Sequence, residues 1–421
     1  MDSDLRRARS HCRPLLISTR MRRAKLVLGI AALIIAMVFG AMVPSGFATA
    51  YETELSSTNQ YQLEQHHTTA ALAALDAEQT HNDGPATEGN WGGVDWTYNT
   101  RSKVLSIAPK KDATLVDNDG PFLTADDAEL ATKMDMRTVR FMHKVTITDA
   151  SQLAYMFEGA CSLNVVENLW RIQLSEISAT QPLDLTSMFA YTAELHTDFA
   201  RWKIGNRRII AREMFRGSHA NTFEYFHLPW GNIEDAYYMF AEMPNLLYID
   251  FDSQLSESNF GVRNAEGMFY GCTALEQVIW NMSASNMINM NEMFKYCFSL
   301  LSVDFLSTQG SQQQSMTGMF EGCHHLQEVN FQDLPITPAS MQVGSMFLDD
   351  NDVRAMTMSI ATLRYLYDQN YHNPYDPSWA LPCMDNAESL WTAKGQSRSW
   401  KQWMEDTALE DTEILTFTRV L

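Results

Sequence analysis

Through the middle of the chain, apolar positions recur on a fixed beat. Met-Phe occurs at 156, 188, 214, 239, 268, 293, 319 and 346, at intervals of 32, 26, 25, 29, 25, 26 and 27. With each Met counted as zero, position −3 is Leu153, Leu185, Ala211, Ala236, Ala265, Met290, Met316 and Val343, apolar in every unit. Position +7 is Leu163, Leu195, Leu246, Leu275, Leu300 and Leu326, and only the third and last units depart. Apolar residues at −3, 0, +1 and +4 trace one face of a short helix. Glycine at +3 in half the units (Gly159, Gly217, Gly271, Gly322) predicts where that helix ends, because glycine tolerates positive φ.

Beyond +7 the period shortens. "YIDF" (248–251), "VIW" (278–280), "SVDF" (302–305) and "EVNF" (328–331) place apolar residues at +10 and +12. A period of two predicts a short strand with one buried face. Each unit then reads as a short helix, a bend, a strand and a polar return. A unit this small cannot bury its apolar face alone, so neighbours must stack. The expected fold is an α/β repeat solenoid: a leucine-rich-repeat-like, right-handed stack of short helix plus short strand units over residues 136–349. Its repeat core is Met156, Phe157, Met188, Phe189, Met214, Phe215, Met239, Phe240, Met268, Phe269, Met293, Phe294, Met319, Phe320, Met346 and Phe347.

The flanks read differently. "VDWTYN" (94–99) and "VLSIAP" (104–109) are β-rich segments around "TRSK", a β-hairpin signal. That hairpin belongs to an N-terminal cap at 89–135, and residues 350–421 form a mixed C-terminal cap. Residues 51–88 are polar and acidic and read as a flexible spacer; no Lys or Arg occurs from 51 to 100. "VDNDG" (116–120) resembles part of a calcium loop but lacks the closing glutamate, so a plain turn is expected.

Charge separates the first 50 residues from the rest. They hold eight Lys/Arg against two Asp/Glu, whereas the whole chain is −20 and residues 51–421 are therefore −26. A basic segment precedes the uncharged run "LVLGIAALIIAMVFGAMV" (26–43), and "ATA" (48–50) fits signal-peptidase cleavage after Ala50. Residues 1–50 thus read as a signal peptide or, uncleaved, as an N-terminal membrane anchor. Either way the body lies outside the cytoplasm, and the membrane is a partner only through this segment. So acidic a body is not expected to bind nucleic acid by phosphate neutralisation.

The repeat resembles the BspA-like family of bacterial leucine-rich-repeat surface proteins, whose approximately 25-residue units carry "MF..C..L" followed by a short apolar strand. The likeness spans all eight units and is strongest from 239 to 331. "WTYNTRSKVLSIAP" is similar to the hairpin before such repeats, and residues 390–421 are similar to their trailing segment. The resemblance implies a surface-displayed or secreted bacterial solenoid with adhesive roles. The partner expected is a host or bacterial surface protein or glycan. Two features depart: "LPCMD" (381–385) is not a sortase motif, and the units at 188 and 214 are degenerate.

Candidate chemistry is sparse. Cys272, Cys297 and Cys323 all fall at +4 and should stack as a ladder of buried thiols. With Cys161 and Cys383 they make an odd count after residue 50, which argues against a disulfide framework. His66, His67, His324 and His325 lack the spacing of a metal site. Arg201, Lys203, Arg207, Arg208 and Arg212 form a basic island that is either a solvated edge offsetting nearby acids or a partner-binding patch. Trp202, Trp230, Trp280, Trp391, Trp400 and Trp403 belong mostly to core, and any sharing an exposed face with tyrosines would form a binding platform. Tyr237, Tyr248, Tyr270 and Tyr296 lie near bends, where they could be presented. No nucleophile elbow, zinc motif, Walker loop or dinucleotide loop occurs, so the expectation is no catalytic residue, no metal and no cofactor, and a binding protein rather than an enzyme. A structural spacer of the envelope is the alternative, with a carbohydrate-active enzyme behind both.

Overall fold

The computed structural model describes residues 85–116, 127–197, 199, 201–221, 232–251, 261–279, 287–304, 315–332, 342–348, 352–371, 381–382 and 389–420. The chain divides into Met1–Gly84 and Pro85–Leu421, and the described residues all belong to the second unit. The export segment with Ala50, residues 51–84 of the spacer, His66, His67, Trp230, Trp280, Cys383 and residues 117–120 of the "VDNDG" turn lie outside them. The last four residues of the expected spacer, 85–88, are instead tied to the cap, since Ala86 N donates to Ala128 O and Thr87 O accepts from Tyr98 N, and Glu88 opens the first strand.

The N-terminal hairpin pairs β2 (Val94–Asn99) with β3 (Val104–Ile107), and β1 (Glu88–Trp91) adds an antiparallel strand outside β2. Trp91, Trp96, Tyr98, Leu105 and Ile107 bury one face, as the alternation requires. After β4 (Ala113–Leu115) and α1 (Asp127–Asp135) the chain enters β5 (Thr138–Phe141), which pairs in parallel with β3. The hairpin is thus continuous with the solenoid's first sheet. β6 (Val145–Ile147) pairs with β4 and β8 (Ile172–Gln173), and β7 (Val165–Glu167) pairs with β5.

The Met-Phe segments are not helices. Each is a run of hydrogen-bonded turns, which corrects the helix predicted from the apolar spacing. Even positions bond within the turn: Met268 N donates to Ala265 O, Tyr270 N to Gly267 O and Cys272 N to Phe269 O. Odd positions bond to the next unit: Gly267 N donates to Asn291 O, Phe269 N to Met293 O and Gly271 N to Lys295 O. The Phe-to-Met bond repeats at all seven steps between the eight units, at 2.9–3.0 Å. Positions −1 and +3 have positive φ so that alternate N–H groups can turn outward along the stack. The glycine at +3 therefore does answer to φ, but it ends no helix.

This backbone column carries a column of rings. Phe157, Phe189, Phe215, Phe240, Phe269, Phe294, Phe320 and Phe347 stack one on the next, with centroids 5.4–5.9 Å apart and planes within 21°. All eight are fully buried, as are the Met residues before them. Offset stacking adds about 0.5–1.5 kcal/mol per pair beyond the area buried. The residues at −3 and the leucines at +7 complete the same core.

Two further columns run alongside. At −4, β9 (Leu183–Asp184), β10 (Ile209–Ile210) and β11 (Ile233–Asp235) pair in parallel, and single bridges continue through Asn264, Asn289, Ser315 and Gln342. Here Asp184, Asp235, Asn264 and Asn289 each accept the N–H two residues on, which sets the entry into the turn. At +9 to +11, β12 (Tyr248–Asp250), β13 (Gln277–Ile279), β14 (Ser302–Asp304), β15 (Glu328–Asn330) and β16 (Ala355–Ser359) pair in parallel.

The C-terminal end closes the stack. α2 (Ile360–Tyr371) follows β16, and β17 (Trp391–Ala393) and β18 (Gln396–Arg398) form a hairpin. Ser399 and Gln402 make a capping box at α3 (Trp400–Met404). β19 (Ile414–Arg419) then pairs antiparallel with both β16 and β17. Trp391, Trp400 and Trp403 pack with Phe417 over the last unit; all four are buried, as is Trp202. The four described tryptophans of the predicted platform are therefore core.

Candidate functional site: an aromatic and acidic strip over the turn column

With Met and Phe pointing inward, positions −2, −1, +2, +3 and +5 of the turn column are left to face outward. In the units at 239, 268, 293 and 319 these carry aromatic side chains that meet across units. Tyr237 and Tyr238 lie 4.7 Å apart, Tyr238 and Tyr270 5.4 Å, Tyr270 and Tyr296 5.6 Å, Tyr296 and Phe298 6.2 Å, and Phe298 stacks on His324 at 5.2 Å. The structure thus joins three of the predicted tyrosines, Tyr237, Tyr270 and Tyr296, in one chain of rings. Tyr248 sits apart on β12.

Glycine seats two of these rings. A Cβ at Gly267 would lie 2.4 Å from Cε2 of Tyr238, and one at Gly322 would lie 2.7 Å from Cδ1 of Tyr296. Each tyrosine therefore lies flat on the glycine of the following unit, half-buried and held in place. The signal was present in the sequence as "GMFYG" and "GMFEG". Paired glycines four apart are costly in a helix but natural where −1 and +3 both take positive φ.

Acids and cations interleave with the rings. Tyr238 OH donates to Glu292 Oε2 at 2.8 Å, and burial first, then that carboxylate, push its phenol well above the ordinary tyrosine range. Lys295 donates to Glu321 at 2.9 Å and Glu292 at 3.2 Å, and Arg216 bridges Glu213 at 2.8 Å and Glu242 at 2.9 Å. Burial disfavours the charge on Lys295 and Arg216, but their paired carboxylates outweigh it and hold both protonated. Arg212, Arg216 and Lys295 also lie over Tyr237, Tyr238 and Tyr296 at 4.6, 5.6 and 5.3 Å. The strip is a fixed array of neutral phenols, carboxylates and paired cations. It offers hydrogen bonds and flat apolar faces rather than a nucleophile.

The remaining candidates lie elsewhere. Cys272, Cys297 and Cys323 are fully buried thiols outside any disulfide, and each donates to the Phe carbonyl of the preceding unit at 2.9–3.1 Å. Burial pushes Cys272 up to about 12 and Cys297 well above its usual value. His324 and His325 diverge, the first onto Phe298 and the second toward Asp352 at 3.9 Å. Of the basic island, Arg208 pairs with Glu234, Arg212 with Asp235, and Arg207 donates to the carbonyls of Leu174, Ile177 and Ile204. No cluster of three or more metal-ligating side chains occurs among the described residues.

Comparison with known proteins places these features in a family. Residues 134–248 and 235–356 each match the family described as Mycoplasma protein of unknown function, DUF285, together covering just over half of the chain. A structural neighbour is the crystal structure of a leucine rich cell surface protein from Faecalibacterium prausnitzii A2-165, at 12% identity and a TM-score of 0.18, covering 62% of this chain and 96% of that one. No protein of curated function matches the sequence.

Proposed function

The chain belongs to the DUF285 family, and we propose that it is a non-catalytic binding protein displayed outside the cytoplasm, on a bacterial surface or secreted. Its ligand is a macromolecule of a host or neighbouring cell surface, protein or glycan, contacted by the strip from Tyr237 to His324. The observation that carries this reading is the chain of six rings across four units, two of them seated on glycines, laced with carboxylates. Half-buried tyrosines whose conformations are already fixed lose little entropy on binding, and Tyr concentrates energy at interfaces. The core does not need them, since the Phe column beneath is complete. The basic, then apolar N-terminus supports export, and the resemblance to BspA-like repeats supports an adhesive role.

The test is an array of matrix proteins and surface glycans probed with the full-length chain and with Tyr270→Ala. Tyr270 bridges Tyr238 and Tyr296, so its removal should weaken retention about tenfold, the size expected of one central aromatic anchor, while the melting temperature holds. Retention of nothing, or equal retention by the variant, would replace this reading with that of a structural spacer.

A further inference from the structure

The longest interval in the repeat builds something the stack does not require. The first unit runs 32 residues to the next Met-Phe, against 25–29 elsewhere, and its excess includes the 3₁₀ turn Leu169–Arg171. That turn begins at Asn168, in the left-handed region at φ 61°, and presents Trp170 half-buried at the surface. The degenerate next unit folds over it. Trp202 Nε1 donates to Ile172 O at 3.2 Å, and Arg207 reaches Leu174 O at 3.2 Å and Ile177 O at 3.1 Å, which pins residues 202–207 to the first unit.

Two guanidiniums meet on the indole. The carbon of Arg201 lies 4.7 Å from the Trp170 ring centroid and that of Arg171 lies 5.3 Å away. Arg171 also donates Nη1 to Phe141 O at 3.1 Å. Arg201 and Lys203 are exposed, and among the described residues no carboxylate pairs with either. The contrast with the rest of the island matters. Arg208 and Arg212 are balanced by acids and Arg207 is consumed by backbone carbonyls, yet these two cations are left to solvent in a body of net charge −26.

We propose that Trp170, Arg171 and Arg201 form an oxyanion-binding site for an acidic saccharide, separate from the tyrosine strip, with exposed Lys203 two residues along the chain adding positive charge. A guanidinium laid on an indole is held in orientation but keeps its N–H edge free, the arrangement that grips a carboxylate or sulfate through paired hydrogen bonds. Trp170 is half-buried, and the part of the indole that the guanidiniums leave uncovered gives an apolar edge to a sugar ring. Sparse charge suits this place better than a phosphate polymer does. Few cations converge here, and the acidic body repels a densely charged strand.

The experiment measures binding of the full-length chain to hyaluronate, chondroitin sulfate, dextran and single-stranded DNA, with Arg201→Ala, Arg201→Lys and Arg208→Ala as variants. The site predicts binding to hyaluronate or chondroitin sulfate over dextran, and the preference between the two polymers reads carboxylate against sulfate. Arg201→Ala should lose about tenfold or more, as expected for a charge-assisted pair of hydrogen bonds. Arg201→Lys should recover only part of it, because Lys keeps the charge without the fork. Arg208→Ala, which removes a charge already balanced by Glu234 and outside the strip, should stay within about twofold, the scale of a surface charge. No preference over dextran, tighter binding of DNA, or equal losses at Arg201 and Arg208 would each overturn the proposal. A strip variant such as Tyr270→Ala should leave this binding intact, so the two sites fail independently.

Discussion

The two sides of each unit keep order in different ways. On the Met-Phe side, every one of the seven steps repeats the same N–H to carbonyl bond and the same ring contact. On the strand side the ladder is continuous from β12 to β16, but among the described residues the unit at 188 keeps only the bridge from Val165 to His196. Packing persists there without a strand among the described residues. Phe199 meets Phe189 edge-on at 6.2 Å, much as Phe251 meets Phe269 at 6.2 Å and Phe331 meets Phe347 at 6.4 Å. The turn column thus sets register through the backbone, whereas the strand side needs only a bulky ring at about the right place. A fold divided in this way can vary its strand side and its returns without losing alignment.

The largest effect that would break this contrast is Phe269→Ala. It removes a fully buried ring from the middle of the column and should cost about 3–5 kcal/mol in chemical denaturation. A loss below about 1 kcal/mol, the scale of a surface change, would mean that the rings do not hold the stack.

Next in size is a pair of glycines. Gly267 and Gly271 both take positive φ, so alanine at either should cost about 1–2 kcal/mol. At Gly267 the new Cβ also strikes Tyr238, whereas at Gly271 its nearest neighbour is 3.9 Å away. Gly267→Ala should therefore cost about 1–3 kcal/mol more than Gly271→Ala, as overpacking does. In a Tyr238→Ala background that excess should vanish. If it persists, the tyrosine is not seated on the glycine.

A smaller change sharpens the contrast from the strand side. Ile249→Val, on β12, should cost only about 0.5–1.5 kcal/mol. The thiols test burial without any substitution. Cys272 is held up to about 12 against an ordinary 9.0, so the unfolded chain ionises first as pH rises. This contribution to stability is complete below pH 9 and is lost as pH climbs from 9 toward 12. Across the same range, native Cys272, Cys297 and Cys323 should react with a thiol reagent only after denaturation, and rapid native labelling would show them exposed.

Much of this was legible in the residues. The period marks out the Met-Phe pairs, the apolar −3 column, the +7 leucines and the +4 cysteines, which are buried, and the β-rich segments mark the hairpin at 94–107, which is paired. The helix did not, because inward positions at −3, 0, +1 and +4 fit stacked turns as well as a helical face. Only the glycines flanking Met-Phe distinguish the two, through the positive φ at −1 and +3. The site was harder to see. Tyr238 and Phe298 join the strip through contacts between units, and sequence spacing alone does not reveal which outward positions meet. Trp170 escaped notice because it lies in the excess of an irregular unit, where the period gives no guide. The polar returns at 252–264 and 306–315 lie largely outside the described residues.

The most direct test of the turn column is native-state hydrogen exchange resolved to single amides. The amides of Phe189, Phe215, Phe240, Phe269, Phe294 and Phe320, each bonded to the Met carbonyl of the following unit, should exchange only through global unfolding. Strand amides such as those of Val278 and Val303 should open at lower free energy. Faster exchange at the Phe amides than at those strands would show that the sheet, and not the Met-Phe column, holds the solenoid together.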